Sequence, residues 1–187
     1  LAAELEKNNK KRNEIVKAVK KAIEDEIKAL EKLKKAKFAL TPEGIARSKS
    51  FNKNKGRLIW PVQRGEITSK YGRHQHHLVT TAFVDNNGVD ITTSKNANVR
   101  AVFEGKVTSV LIIPGAGRVV MVSHGEYRTV YANLQEVYVK KGDQVKAKDK
   151  LGKLLAKESG ISESHFEIWR ILASGMSTVN PSFWLSK

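Results

Sequence analysis

The side chains best suited to acid–base or metal chemistry are five histidines, because the sequence contains no cysteine. Without cysteine, disulfides, thiolate metal sites and thiol nucleophiles are excluded. His74, His76 and His77 form a cluster, Arg-His-Gln-His-His, that could capture a divalent ion, although its predicted loop position favours ordinary solvation. His124 precedes a glycine and is interpreted as a turn residue, whereas His165 begins a predicted strand and is interpreted as a satisfied core or groove histidine.

From residue 58 onward the chain reads as strands, which predicts an all-β domain, either a barrel or a sandwich, over residues 58–187. Short β-branched segments alternate with turn signals, such as Glu104-Gly105 and Lys141-Gly142-Asp143, at intervals of roughly ten residues. The strongest predicted strands are 99–103, 106–113, 119–123, 129–133, 136–139, 144–146, 150–155 and 165–171.

Residues 1–37 contain neither Gly nor Pro and predict one amphipathic helix. Its apolar residues, three or four positions apart, are Val16, Val19, Ile23, Ile27, Leu30 and Leu33. The stripe is narrow and lacks the Trp or Phe typical of membrane-surface helices, so a coiled-coil or helical-hairpin stalk is the favoured interpretation. Because the chain begins with Leu1 inside this pattern, we expect a fragment whose partner helix and targeting segment lie upstream.

Thr41-Pro42-Glu43 has the form of a helix N-cap, a first-turn proline and a first-turn acid. A second short helix is therefore predicted from Pro42 to about Lys49, with a polar linker over 50–57, so that residues 38–57 connect stalk and β domain. Two hypotheses remain for this helix. It either folds back over the functional surface of the β domain, bringing Arg47 or Lys49 to an acidic residue there, or acts as a simple spacer.

The formal net charge is +15, from 34 Lys and Arg against 19 Asp and Glu. Residues 1–57 carry 17 basic and 8 acidic residues, so this third of the chain contributes +9. Such an excess favours an anionic partner, whether nucleic acid, an acidic membrane surface, a cell-wall polymer or an acidic protein. Nucleic acid is disfavoured because basic patches with interleaved aromatic residues are missing. No apolar run approaches the length of a membrane span.

Several motifs in the β region resemble, in the right order, the lysostaphin/LytM-type zinc endopeptidases of bacterial cell walls. The motifs are Trp60-Pro61-Val62, Lys70-Tyr71-Gly72-Arg73, Asn87-Gly88-Val89-Asp90-Ile91, Gly105-Lys106-Val107, Tyr131-Ala132-Asn133-Leu134, Lys141-Gly142-Asp143, His165-Phe166-Glu167-Ile168 and Asn180-Pro181. The resemblance implies a mainly β fold: a LytM-type antiparallel β-sheet, or barrel-sandwich hybrid, preceded by the N-terminal helical segment.

In active members of the family, three positions hold zinc ligands and two hold residues that transfer protons, and the resemblance identifies the matching positions in this chain. Asp90 and His165 occupy ligand positions, but the first ligand, a histidine in active members, is Asn86. A neutral amide oxygen is a poor zinc ligand beside imidazole. Glu163 and Asn133 occupy the proton-handling positions, and an amide cannot shuttle a proton near neutral pH. The resemblance thus implies a degenerate groove, without metal or catalytic residues, formed by Asn86, Asp90, Asn133, Glu163 and His165.

A helical stalk ahead of such a degenerate domain resembles the murein hydrolase activators. This implies a non-catalytic periplasmic protein without a cofactor, which binds a peptidoglycan amidase through the groove during cell division. It also implies that the coiled coil engages a division-linked ABC transporter, and peptidoglycan is a further candidate partner. Two alternatives remain open: an active zinc endopeptidase that cleaves peptidoglycan cross-links with the help of Glu163, and a nucleic-acid-binding protein.

Overall fold

The computed structural model of the chain describes residues 1–34, 40–76 and 78–187. Within these residues the helices are α1 (Ala2–Lys34), α2 (Pro42–Lys53) and a short 3-10 helix, Pro181–Phe183. The strands of the same residues are β1 (Glu66–Ser69), β2 (Gly72–Gln75), β3 (Phe83–Asn86), β4 (Val89–Ser94), β5 (Asn98–Arg100), β6 (Gly105–Ile113), β7 (Gly117–His124), β8 (Tyr127–Val137), β9 (Gln144–Val145), β10 (Lys150–Leu154), β11 (Ile161–Leu172) and β12 (Gly175–Val179). The predicted mainly β fold with helices at the N-terminus is confirmed.

The main sheet is antiparallel and runs in the order β1-β4-β11-β8-β7-β6-β9, with β12 paired to β11. β10 pairs with both β8 and β5, and β2 and β3 form a separate hairpin. Side chains of a strand alternate between the two faces of a sheet, so each face has its own apolar cluster. The larger cluster includes Tyr131, Leu134, Phe166 and Ile168, and the smaller one is covered by α1.

α1 lies against the sheet with one side of the helix. Ile15, Val19 and Ile23 are fully buried, whereas Val16 and Ile27 of the predicted stripe are only half-buried. The predicted helix is confirmed to Lys34, and residues 35–37 lie outside the described residues. Within the described residues α1 forms no coiled coil, because Val16, Val19, Ile23 and Ile27 of the predicted stripe pack against the sheet.

α2 begins where the capping motif predicts, since the Gly44 amide donates to Thr41 Oγ1 at 3.1 Å. The prediction that residues 50–53 belong to a linker was wrong, because α2 continues to Lys53. Phe51 explains the extension. Its ring is fully buried and stacks on His124 with a centroid distance of 4.6 Å, which fixes the last helical turn in the larger core.

A close approach holds the middle of α2 to the turn after β7. Ser48 Oγ accepts a hydrogen bond from the Glu126 amide at 2.7 Å. A Cβ at Gly125 would lie 2.1 Å from this hydroxyl, and φ is +82° at that residue, so only glycine fits there. The hypothesis that this helix folds over the functional surface was therefore wrong, because its buried residues anchor it at the β7–β8 turn.

Strands β6 and β7 follow the prediction closely. The two predicted strands 129–133 and 136–139 fall largely within one strand, β8, and β11 begins four residues before the predicted segment 165–171. The prediction missed β1, β2, β3, β4 and β12. Four of these are short and carry alternating polar residues at an edge, so they lack the apolar run that identifies a strand. Neither α-helix of the described chain combines the length and the apolar character needed to cross a membrane.

Candidate functional site

Strand register brings the predicted ligand positions together. His165 of β11 pairs with Asp90 of β4 on one side and with Ala132 of β8 on the other. Along β11, Glu163, His165, Glu167 and Trp169 follow at intervals of two and therefore share the face that α1 covers. We call this face the groove; its apolar part consists of Met121, Val130, Ala132 and Trp169, and its polar part of Asp90, Asn133, Glu163 and His165.

Asp90 is the centre of a buried hydrogen-bond network. His165 Nδ1 donates to Asp90 Oδ1 at 2.6 Å, and Arg12 of α1 donates to Asp90 Oδ2 at 2.5 Å. Asn86 Nδ2 lies 3.3 Å from the same Oδ2, while Asn86 Oδ1 accepts from the Gly88 amide at 3.0 Å. Burial alone would raise the pKa of Asp90, but the charges and hydrogen bonds of His165 and Arg12 hold that pKa well below its usual range.

His165 is tied to carboxylates through both ring nitrogens. Its Nε2 lies 2.8 Å from Glu167 Oε1, and the other oxygen of Glu167 accepts from Trp169 Nε1 at 2.7 Å. Burial alone would lower the pKa of His165, but Asp90 and Glu167 together raise it to about 9. The ring is therefore an imidazolium at neutral pH, donating from both nitrogens.

Asn133 and Glu163 complete the polar part of the groove. Asn133 has a φ of +65°, a conformation that Asn tolerates better than most residues, and its Nδ2 donates to the Glu163 carbonyl oxygen at 3.0 Å. Its buried Oδ1 has no hydrogen-bond partner within the described residues. The Glu163 carboxylate instead pairs with Lys157 at 2.9 Å. The structure thus places all five predicted groove residues around one site.

Sequence reasoning missed the cations that α1 brings to this site. Arg12 reaches Asp90, and the neighbouring Lys11 lines the same space beside Glu163. Burial lowers the pKa of Lys11, against the opposing pull of the Glu163 and Asp90 carboxylates. The space left between α1 and the polar part of the groove is about 10 Å³, about enough for one water molecule. Sequence reasoning did not identify Arg12, because the predicted apolar stripe begins at Val16 and Arg12 lies 78 positions from Asp90.

Contacts at both ends hold α1 in place. Near its start, Asn9 Nδ2 donates to the Phe83 carbonyl oxygen at 3.2 Å. Near its end, Glu26 accepts from Arg128 Nη2 at 2.5 Å and from Arg128 Nε at 3.3 Å. Because the Arg128 side chain is almost fully buried and the pair is bidentate, this ion pair contributes more than a surface one. The helix is therefore held on the sheet by polar contacts at Asn9 and Glu26 and by its apolar side.

The zinc ion that the resemblance suggests does not fit this donor set. A zinc ligand must offer a free lone pair, and the imidazolium of His165 offers none. Asn86 turns its NH₂ group toward Asp90, and both oxygens of Asp90 accept hydrogen bonds from cationic side chains. Among the described residues, no group of three or more His, Asp or Glu is placed to hold a metal ion. The residues present replace the metal charge with protein cations.

Two other histidine predictions have different outcomes. His124 was expected in a turn, but it is the last residue of β7 and is fully buried beneath Phe51. Its ring nitrogens lie 2.6 Å from the Glu104 carbonyl oxygen and 2.8 Å from Thr129 Oγ1, and burial lowers its pKa to about 3. In the other cluster, the predicted loop position was wrong for His74, which lies in β2 with its Nδ1 3.1 Å from the Gly72 carbonyl oxygen, and His77 lies outside the described residues.

Comparison with known proteins assigns the chain to a family. The model of peptidase family M23 matches residues 84–181, which include all five predicted groove residues. The peptidoglycan DD-endopeptidase ShyB of Vibrio cholerae is 36% identical over 95 residues, which cover 49% of this chain and 22% of ShyB. The cell division protein DipM of Caulobacter vibrioides is 31% identical over 118 residues, which cover 61% of this chain and 18% of DipM.

A solved structure extends the match. A chain in the SpoIIQ–SpoIIIAH pore-forming complex has a TM-score of 0.55 and 25% identity, over 71% of this chain and 93% of that chain. The present chain spans about a quarter of the length of the curated relatives it matches. The family model covers more than half of the sequence and the motifs coincide with the groove. On these grounds the chain belongs to peptidase family M23.

Proposed function

We propose that the chain is a non-catalytic activator of a peptidoglycan amidase, similar to the murein hydrolase activator EnvC, and that its degenerate groove is the amidase-binding surface. The observation that carries the proposal is α1 itself. A helix already lies in the groove, with Arg12 on Asp90 and its apolar side against Trp169. A surface that accepts a helix in this way suits protein binding better than hydrolysis of a peptide bond.

The side chains of the groove support a loss of catalysis. Hydrolysis needs an activated water and a group that transfers a proton. His165 is held as an imidazolium between Asp90 and Glu167, so its nitrogens are not free to accept a proton. Asn133 cannot transfer a proton, and the Glu163 carboxylate is paired with Lys157. Each candidate group is thus engaged in a structural contact.

Binding of an amidase at the groove requires displacement of α1. A protein whose competent state is populated at about 1% binds its ligand about 100-fold more weakly than the open form would. A factor that pulls on α1 would therefore increase the affinity for the amidase without touching the groove. We propose a division-linked ABC transporter as that factor and the periplasm as the compartment. The positive charge would favour contact with anionic cell-wall polymers.

A reversible lock on α1 tests this function. The chain contains no cysteine, so Asn9→Cys with Phe83→Cys creates a unique pair at a contact where the Asn9 side chain meets the Phe83 backbone. A cleavable bis-maleimide would join the pair. Amidases from the same organism are then assayed by dye release from labelled peptidoglycan. We expect lower activation by the locked chain than by the unlinked chain, and a return to the level of the unlinked chain after cleavage of the linker, with both single-cysteine variants as controls.

Equal activation by the locked and cleaved chains would refute the role of the groove. A complete failure to activate any amidase, locked or open, would refute the proposed function itself.

The similarity to the DD-endopeptidase ShyB favours one second candidate, an active zinc endopeptidase. Incubation with cross-linked muropeptides and zinc, followed by chromatography, would detect it. Cleavage that a chelator and Asp90→Ala both abolish would make peptidoglycan hydrolysis the function.

A further inference from the structure

α2 and the turn after it carry a concentration of positive charge on the outside of the β domain. Residues 44–65 contain six Lys and Arg but no Asp or Glu. Four of these cations lie on the side of α2 opposite the buried Phe51, or in the turn that follows, and all four are exposed. None of the four forms an ion pair within the described residues. We call this region the basic surface; its cations are Lys49, Lys53, Lys55 and Arg57.

An exposed aromatic ring lies beside these cations. Phe183 is the last residue of the 3-10 helix and is 67% exposed. The turn after α2 lies against that helix, since a Cβ at Gly56 would be 3.7 Å from the Phe183 carbonyl oxygen. In the same turn, Lys55 Nζ lies 5.5 Å from the centre of the Trp184 ring. The basic surface therefore combines four cations with one apolar side chain that has no cover within the described residues.

The basic surface is fixed to the larger core and does not depend on the position of α1. Beneath it, the rings of Phe51 and Trp184 have their centroids 5.1 Å apart, and the Tyr127 hydroxyl donates to Asn52 Oδ1 at 3.2 Å. These rings belong to the larger apolar cluster, whereas the groove belongs to the smaller cluster on the other face of the sheet. A partner bound to the basic surface therefore does not cover the groove.

The chemistry of the basic surface suits an extended anionic plane with an apolar layer beneath it. The cavity of about 1000 Å³ between α1, α2 and β6 is lined by Arg47 but by none of the residues of the basic surface, so nothing there encloses a small anion. A second copy of the chain has the same positive charge and would be repelled. Single-stranded nucleic acid is bound by several stacking rings, and only one ring is exposed beside these cations. A bilayer offers phosphates to the cations and acyl chains to the ring.

We propose that the basic surface binds an anionic lipid bilayer, with its cations among the headgroups and Phe183 inserted toward the acyl chains. Each Lys or Arg near such a surface increases the affinity about fivefold, which corresponds to about 1 kcal/mol. The bound chain presents the groove away from the lipid, because the two lie on opposite faces of the sheet. The proposal is independent of the proposed activation of an amidase.

Vesicle binding by the full chain tests the proposal. Vesicles of phosphatidylglycerol and phosphatidylcholine in equal parts are compared with pure phosphatidylcholine by co-sedimentation at physiological ionic strength. We expect binding to the anionic vesicles only. The triple variant Lys53→Gln, Lys55→Gln, Arg57→Gln should weaken binding by about tenfold or more, since three cations are removed. Phe183→Ala should weaken binding roughly threefold, because the apolar contact is lost.

A second triple variant, Lys95→Gln, Lys150→Gln, Lys153→Gln, is the matched control, because it loses the same charge beside β10. Lys153 pairs with Glu136 near the end of β8, whereas Tyr127, beneath the basic surface, begins that strand. Nine positions of a strand span about 30 Å, well beyond the Debye length of about 8 Å. The control should therefore weaken binding by less than about threefold. An equal loss in the two triple variants, or no binding of the wild-type chain to anionic vesicles, would overturn the proposal.

A single label tests the insertion of the ring. The chain contains no cysteine, so Phe183→Cys can carry an environment-sensitive dye, and Tyr138→Cys, exposed just after the other end of β8, carries the same dye as a control. Anionic vesicles should shift the emission of the dye at position 183 to the blue and leave the dye at position 138 unchanged. A shift at position 138 that equals or exceeds the shift at 183 would overturn this orientation.

Peptidoglycan sacculi and DNA are measured alongside the vesicles. If either polymer binds through Lys53, Lys55 and Arg57 while anionic vesicles do not bind, that polymer is the partner of the basic surface and the lipid proposal is overturned. Because no amidase takes part in these measurements, a failure of the chain to activate an amidase would refute only the proposed function. Loss of vesicle binding would likewise refute only the lipid proposal.

Discussion

Ile15→Ala should release α1 without unfolding the sheet. Ile15 is fully buried between Arg12 and Val19 in the helix that covers the groove. Truncation of a buried Ile to Ala costs about 2–5 kcal/mol, and a value near 3 kcal/mol is reasonable here because Ala is also the better helix former. Every 1.4 kcal/mol changes an equilibrium tenfold, so the open population of α1 should rise roughly 150-fold.

Native-state hydrogen exchange measures this opening directly. Amides of α1 around residues 16–23 should lose about 3 kcal/mol of protection, while amides of β8 and β11 should keep theirs, because local opening does not expose the centre of the sheet. Lys20→Ala is the matched control, since Lys20 is exposed on the same helix and should change protection by less than about 0.5 kcal/mol. An equal loss in α1 and β11 would refute separate opening and make α1 part of one cooperative core.

Four further predictions follow from the site and the core. Elemental analysis after dialysis against micromolar zinc should find far less than one zinc per chain; a stoichiometric zinc lost in His165→Ala would contradict the donor analysis. The double variant Asn86→His, Arg12→Ala should bind zinc at least tenfold more tightly in calorimetry than Asn86→His alone, because Arg12 otherwise neutralises Asp90. Equal affinities of the two variants would show that Arg12 of α1 does not affect the site. Phe51→Ala should cost about 4 kcal/mol in urea unfolding, whereas Phe183→Ala, at an exposed ring, should cost under about 1 kcal/mol; a small loss at Phe51 would make α2 dispensable. The pKa of His165 is raised from 6.5 to about 9, so the stability that its protonated ring contributes is complete below pH 6.5 and is lost as the pH rises through 9. The free energy of unfolding should therefore fall by about 2 kcal/mol between pH 7 and 9. His165→Gln should remove this dependence of stability on pH.

The helices and strands that could be predicted from the sequence are those whose pattern lies within a few neighbouring residues. The capping motif at Thr41 and the β-branched segments of β6 to β8 depend on neighbours a few positions away. The five groove residues were found through family motifs, and the strand register then brings them together. The short strands β1 to β3 lacked this signal, because they are mostly polar and are ordered by pairing, β1 with β4 and β2 with β3.

The docking of α1 could not be read from its own pattern. An amphipathic stripe indicates that the helix packs against an apolar surface, but that surface can be either a second helix or the face of a sheet. Arg12 and Asp90 are 78 positions apart, so only the fold shows that they meet. The sequence assigned the helix to a stalk because the apolar face around Trp169 is assembled from three strands and has no sequence signature of its own.

The replacement of one metal-ligand position by Asn86 and the docking of α1 are physically connected. Asp90 is buried, and a buried carboxylate is stable only beside cations or strong donors. In a zinc-binding relative the metal would supply that charge. Here Asn86 turns a donor toward Asp90, His165 carries a proton, and Arg12 supplies a charge that belongs to a helix rather than to an ion. Under the proposed function, the substitution that weakens the metal site would therefore also prepare the groove for a helix that brings a cation.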